Sequence, residues 1–222
     1  MTEPDRAWIV LGDVVDSREI EERDRFELAL DALLRHISEE YERDVIADFD
    51  RLKGIDEIGA VLGSVRSLVD VRRTLTLGLH PERVRLVAYR GEVNDLSAET
   101  VGKMDGAGFA GAADELGRIE EQGLTFVISG LPMEEEYVST VFNLTDHVRS
   151  RWTANRVRAI RAYDRLGSQV EAANLLDVSR QAINQHLTSD SVKLVRQTES
   201  VVDDSLQNLS VTTDAEDFLL RD

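Results

Sequence analysis

The chain has 222 residues, 42% of them hydrophobic, and a formal net charge of −17. The absence of cysteine excludes disulfides and thiolate metal sites, and no apolar run approaches the roughly 20 residues that span a bilayer, so no membrane partner is expected. The first residues, MTEPDRAW, are acidic and lack the basic and apolar regions of a secretory signal, which points to the cytoplasm.

In chain order, residues 7–15 (AWIVLGDVV) form a β-branched apolar run that reads as a buried strand. Ser17 is placed to cap the amphipathic helix expected over 18–43, where Phe26, Leu30, Leu33, Leu34 and Ile37 recur at helical spacing. Strands follow at 45–52 and 58–62, joined by a hairpin at 54–57 whose tip carries Asp56 and Glu57. A helix over 65–79, a strand over 84–89, a helix over 100–121 with the glycine-rich interruption MDGAGFAGAA, and a strand over 124–129 complete this half. Beyond Met133 the pattern is helical to about residue 209, and the last residues read as an acidic, disordered tail.

The expected fold class is therefore α+β. Residues 1–131 follow the ferredoxin-like, palm-like βαββαβ order. A helical domain spans 132–209, with a helix-turn-helix at 168–187, and the tail occupies 210–222.

Asp13 at the end of the first strand should face Asp56 and Glu57 at the hairpin tip. Clustered carboxylates repel unless they are protonated or share a hard cation such as Mg²⁺, so the three are candidate catalytic residues and metal ligands. The same acids also suit strand-end and turn positions. Arg18 is a candidate phosphate contact near a helix start, and equally a partner for Asp16 or Glu21. The hairpin Gly54-Ile55-Asp56-Glu57-Ile58 resembles the GGDEF signature of diguanylate cyclases. Ile55 replaces the second glycine, where phosphates pass close to the backbone. The alternative function this implies is a nucleotide- and Mg²⁺-binding protein or enzyme of the nucleotidyl cyclase/polymerase palm type.

A wider resemblance covers most of the chain. Gly12-Asp13-Val14-Val15-Asp16-Ser17-Arg18 matches the G-D-[IV]-[IV]-x-S-R motif of the SatD family. Asp56-Glu57-Ile58-Gly59 is similar to its G-D-E-F-Q motif, with Ile55 and Gly59 departing from it. Val84 to Glu92 resembles its arginine-plus-glycine strand, and Met104 to Phe109 its M-D-G-x-x-F segment. Many members end in a helix-turn-helix. The resemblance implies architecture rather than a settled activity.

The stretch Ala173 to Leu187 (AANLLDVSRQAINQHL from Ala172) resembles the helix-turn-helix of prokaryotic transcriptional regulators. Ala173, Leu176, Val178, Ile183 and Leu187 are spaced to bury one seam between two crossed helices, a pattern that an ordinary helical hairpin shares. Asp177 stands where the family has glycine, and Asp tolerates the left-handed backbone of that turn at small cost. Ser179 is placed to cap the second helix. Arg180, Gln181, Asn184 and Gln185 are left outward, with side chains that bond base edges and phosphates.

Charge distribution supports the same reading. Between Arg149 and Leu187 seven arginines face three acids, a local excess of four positive charges in a strongly anionic chain. Ser179, Arg156, Arg158 and Arg161 are expected to hold phosphate. The primary expectation is a DNA-binding transcriptional regulator that acts as a homodimer, whose sheet domain senses or dimerises and takes a nucleotide effector. Lysine is confined to Lys53, Lys103 and Lys193. A carboxylate-rich, lysine-poor surface suits a high-salt cytoplasm, so a halophilic, archaeal source is expected.

Overall fold

The computed structural model describes residues 5–52, 54, 56–98, 100–131 and 135–219, with side chains from residue 6 through residue 208. Five strands, β1 (Asp5–Val14), β2 (Val45–Arg51), β3 (Ile58–Leu62), β4 (Val84–Val93) and β5 (Phe126–Ser129), form one sheet in the order β2-β3-β1-β4-β5. β1 pairs antiparallel with both β3 and β4, and β4 pairs parallel with β5. The helices are α1 (Arg23–Glu40), α2 (Leu68–Leu79), α3 (Ala107–Glu121), α4 (Glu135–Arg149), α5 (Ala154–Leu166), α6 (Gln169–Leu176), α7 (Arg180–Leu187) and α8 (Asp190–Leu219). The protein is thus α+β.

Alternation along β1 builds a core on each face of the sheet. Trp8 and Val10 face α1, α2 and α4, where Leu34, Leu75 and Phe142 are buried. Ala7, Ile9 and Leu11 face α3, where Ala112 and Ile119 are buried. The glycine-rich patch is a packing device: a Cβ on Gly108 would come within 2.6 Å of Ile9 Cδ1, and one on Gly111 within 2.5 Å of the Tyr89 ring. A third core joins α5, α6, α7 and the start of α8 through Trp152, Ile160, Ala172, Ile183 and Val192, and takes in Leu77 from α2.

Several expectations shift. The helix expected from residue 18 begins at Arg23, because a 3-10 turn over Ser17–Glu19 intervenes. Ser17 caps nothing; it is buried and bonds across the sheet end. The helix expected over 100–121 starts at Ala107, after Gly106 turns the chain at φ 144°. The expected boundary near residue 131 cuts across one core, since Val138 and Phe142 of α4 and Val202 and Leu206 of α8 pack with the sheet. α8 continues through Leu219, over most of the segment expected to be disordered. Its docked residues Val192, Val195, Val202 and Leu206 fix the first turns, and propagation of an established helix is far easier than nucleation. Val178 is 46% exposed rather than in the seam, because it lies in the turn after Asp177 and not on either helix. Ile55, the residue expected to crowd a nucleotide, lies outside the described residues.

Candidate functional site

Asp13 sits near the end of β1, opposite Arg85 of β4. Gly12 permits that approach: a Cβ there would lie 2.5 Å from the Arg85 carbonyl oxygen. The Arg85 guanidinium donates through Nη1 to both Asp13 carboxylate oxygens, at 3.0 and 2.9 Å, and lies 3.6 Å from Glu120 at the end of α3. Burial pushes the Asp13 carboxyl above its ordinary range; Arg85 opposes that, while Glu120 and Asp56 add to it. The chain then turns through Asp16 at φ 56°, and the buried Ser17 hydroxyl donates to Asp56 at 2.5 Å. Glu57 is half-buried, and its backbone carbonyl accepts from the Leu52 N–H at 2.9 Å to close the hairpin.

The sheet end therefore brings Asp13 and Asp56 together, but as two separately partnered carboxylates. Among the described residues no group of three His, Asp or Glu side chains is disposed to hold a metal ion. Arg18 is exposed on the short 3-10 turn, away from the start of α1. Asp16 pairs loosely with Arg83, at 3.9 Å, rather than with Arg18.

At the other end of the molecule α6 and α7 are joined by Asp177-Val178-Ser179. Asp177 adopts the left-handed conformation (φ 52°, ψ 50°) as the α6 C-cap. Ser168 caps α6 by accepting from the Glu171 N–H, and Ser179 caps α7 by accepting from the Ala182 N–H. Ala173, Ile183 and Leu187 are buried between the helices. Ser179, Arg180, Gln181, Asn184 and Gln185 are all exposed, and the amide of Gln169 at the start of α6 donates to the Asn184 side-chain oxygen at 3.5 Å.

The arginines divide. Arg149 is 3% exposed and bonded to the equally buried Glu199, so it is structural. Arg158, Arg161 and Arg165 are exposed at spacings of three and four, which places them on one stripe of α5. Arg156 does not join them. It is half-buried on the opposite side of the helix, with its Nε enclosed and without a hydrogen-bond partner. Among the described residues none of Arg151, Arg156, Arg158, Arg165 or Arg180 forms an ion pair, and Arg161 donates only to the Gly78 carbonyl, at 3.4 Å.

Reading the sequence alone missed Arg85, Ser17 and Arg165 as members of these groups. Arg85 was signalled by strand parity, since it lies off the apolar face carried by Val84, Leu86 and Ala88, but only the β1–β4 register places it against Asp13. Arg165 was signalled by its spacing of seven from Arg158.

Fold and sites together define an α+β protein with an acid–arginine cluster at its sheet end and a carboxylate-free polar helix face on a helical lobe. The chain belongs to the SatD family, whose sequence profile matches residues 8–206. No curated protein matches the chain. No helix among the described residues is long and apolar enough to cross a membrane.

Proposed function

We propose that the protein is a DNA-binding transcriptional regulator. In this reading α6 and α7 are a helix-turn-helix, α7 enters the major groove, and the palm-like, ferredoxin-like sheet lobe senses or dimerises. The observation that carries the reading is the α7 face: five exposed polar residues without a carboxylate, on a helical lobe that also exposes arginines with no ionic partner among the described residues, in a chain of net charge −17. Such a face in so acidic a molecule suits a polyanion better than it suits bulk solvent. Arg180, Gln181, Asn184 and Gln185 read base edges; Ser179, Arg158 and Arg161 hold phosphates, and Arg165 joins them. One helix-turn-helix binds weakly, so a homodimer on a two-fold site is part of the proposal. A cytoplasmic, halophilic setting fits the acid-rich, lysine-poor composition.

Genome-wide mapping of DNA bound by the tagged protein at native salt supplies the operator. On that operator the double substitution Gln181→Ala, Asn184→Ala removes sequence preference, at about 1–3 kcal/mol per lost bidentate contact, while the melting temperature stays unchanged. Operator binding equal to wild type rejects the assignment.

The alternative, a nucleotide- and Mg²⁺-binding protein of the palm type, rests on the proximity of Asp13 and Asp56. It has less support, because Arg85 already neutralises Asp13 and Ser17 occupies an oxygen of Asp56. A flat calorimetric titration of ATP and GTP with Mg²⁺ removes it.

A further inference from the structure

α4 and α8 carry the same pattern of burial. Val138, Phe142, Thr145 and Arg149 are buried on α4, and Val195, Glu199, Val202 and Leu206 on α8, at identical spacings. The two helices run antiparallel: Arg149, the last residue of α4, bonds Glu199 early in α8, and Val202 and Leu206 beyond it share a core with Phe142 and Val138. The residue before each buried one forms a second line, set back by about 100° around the helix. On α4 this line is Tyr137, Val141, Leu144 and Val148; on α8 it is Leu194, Thr198, Val201 and Ser205. Two antiparallel helices that face each other are related by a two-fold axis, so equal offsets in the same rotational sense emerge on the same side. The two lines therefore join into one face.

That face is apolar and open. Leu144 and Leu194 are 61% and 60% exposed, and Tyr137 and Val201 about half. Contiguous apolar patches on the order of a few hundred Å² on a surface in water mark contact sites. The face is also neutral: none of its eight positions is charged, nor are the exposed flanking Thr140 and Gln197, in a chain with 31% charged residues.

Neutrality selects the occupant. A basic partner is best met by carboxylates, which this chain has in excess, and an anionic lipid surface by lysine or arginine. A two-fold contact with a second copy has the opposite requirement, because each residue near the axis meets its own image and any charge there repels itself. Between two chains of net charge −17, a neutral face is where repulsion is least. Three turns on each of two helices make half of a four-helix bundle, which is the scale of the roughly 800 Å² per partner that a stable dimer buries.

We propose that the α4–α8 face is the interface of a homodimer, pairing with the same face of a second copy as a four-helix bundle. α8 carries this interface into the helical lobe, where Val192 and Val195 share a core with Ile183 and Leu187 of α7. The two α7 helices are thereby held at a fixed separation. The inference rests on the homodimer in the proposed function and needs no DNA: a dimer that finds no operator overturns only the DNA reading, and an operator bound by a monomer overturns only this one.

The test is sedimentation equilibrium on the full chain without DNA, at about 1 M salt, where repulsion between acidic copies is screened. The wild type sediments as a dimer. Leu144→Glu and Leu194→Glu each place a carboxylate on the face, and each raises the dimer dissociation constant by roughly tenfold or more with the circular dichroism unchanged. Leu28→Glu, at a 72% exposed position of α1 outside the face, leaves that constant unaltered. Where one face variant does not fold, the other decides. A monomeric wild type, unchanged association in both face variants, or an equal loss in Leu28→Glu overturns the proposal. A monomer that floats with phosphatidylcholine vesicles overturns it in favour of a lipid surface.

Discussion

The sheet lobe and the helical lobe both hold paired and unpaired arginines but arrange the unpaired ones differently. In the sheet lobe several guanidinium groups are matched to carboxylates, Arg51 to Asp31 and Glu27, Arg85 to Asp13 and Arg72 to Asp146 against the Phe126 and Phe142 rings, while Arg6, Arg18, Arg23, Arg35 and Arg43 are exposed without an ion pair among the described residues. In the helical lobe Arg158, Arg165 and Arg180 stand exposed with no ion pair among the described residues, although acids outnumber bases 43 to 26 along the chain. A chain so rich in carboxylate could have neutralised those cations within its own fold. What distinguishes the helical-lobe set from the exposed arginines of the sheet lobe is its spacing, which puts Arg158, Arg161 and Arg165 on one stripe of α5.

The largest expected effect comes from breaking a structural arginine. Glu199→Ala strands Arg149 in the interior, and removal of one partner from a buried pair costs about 3–5 kcal/mol, read as a lowered urea midpoint with the slope unchanged. A loss below about 1 kcal/mol means that Arg149 swings to Asp146, 4.0 Å away, and that the pairing is redundant. The exposed arginines predict the reverse pattern. Arg158→Ala and Arg165→Ala leave stability within about 0.5 kcal/mol, and each lowers the salt slope of DNA binding by about one. Arg156→Ala leaves that slope unchanged, because its guanidinium is on the other side of α5 with Nε enclosed. Equal slopes for all three variants dissolve the distinction between the stripe and the rest of the helix.

The turn between α6 and α7 gives a smaller effect. Asp177 holds φ 52°, a conformation that costs a non-glycine residue roughly 1 kcal/mol, less for Asp. Asp177→Gly therefore raises the thermal midpoint slightly and leaves operator affinity intact; a lowered midpoint would mean that the Asp side chain itself stabilises the turn.

These contrasts also mark what the sequence could reveal. The turn was legible because a three-residue connection between short amphipathic helices needs a left-handed residue and a cap, and Asp177 and Ser179 stand at those places. The outward residues of α7 followed from the 3.6-residue period that buries Ile183 and Leu187. Pairings across long separations were not legible. Arg149 looked like part of a basic island, but Glu199, fifty residues later, removes it from the surface. Ser17 looked like a helix cap, but the fold sends its hydroxyl to Asp56, thirty-nine residues away. Local geometry is written in periodicity, whereas the partner of a charged or hydroxyl group is set by which elements the topology brings together.

The smallest expected effect tests whether the sheet-end pair is structural in the same sense as Arg149 and Glu199. Burial raises the Asp13 carboxyl above its ordinary value of 3.8 despite the Arg85 contact. A carboxyl with a raised folded-state value favours the protonated form in the fold. The stability it contributes is fully present below its unfolded-state value and is lost as pH rises through the folded-state value. Asp13→Asn mimics the protonated form, and Arg85 retains Glu120 at 3.6 Å. The variant should therefore melt slightly above wild type at neutral pH, with the gap closing as pH falls and the wild-type carboxyl takes up its proton. A variant that melts lower at neutral pH shows that attraction to Arg85 outweighs burial, which would put Asp13 among the stabilising ion pairs of the sheet lobe rather than among groups held at some cost for a ligand.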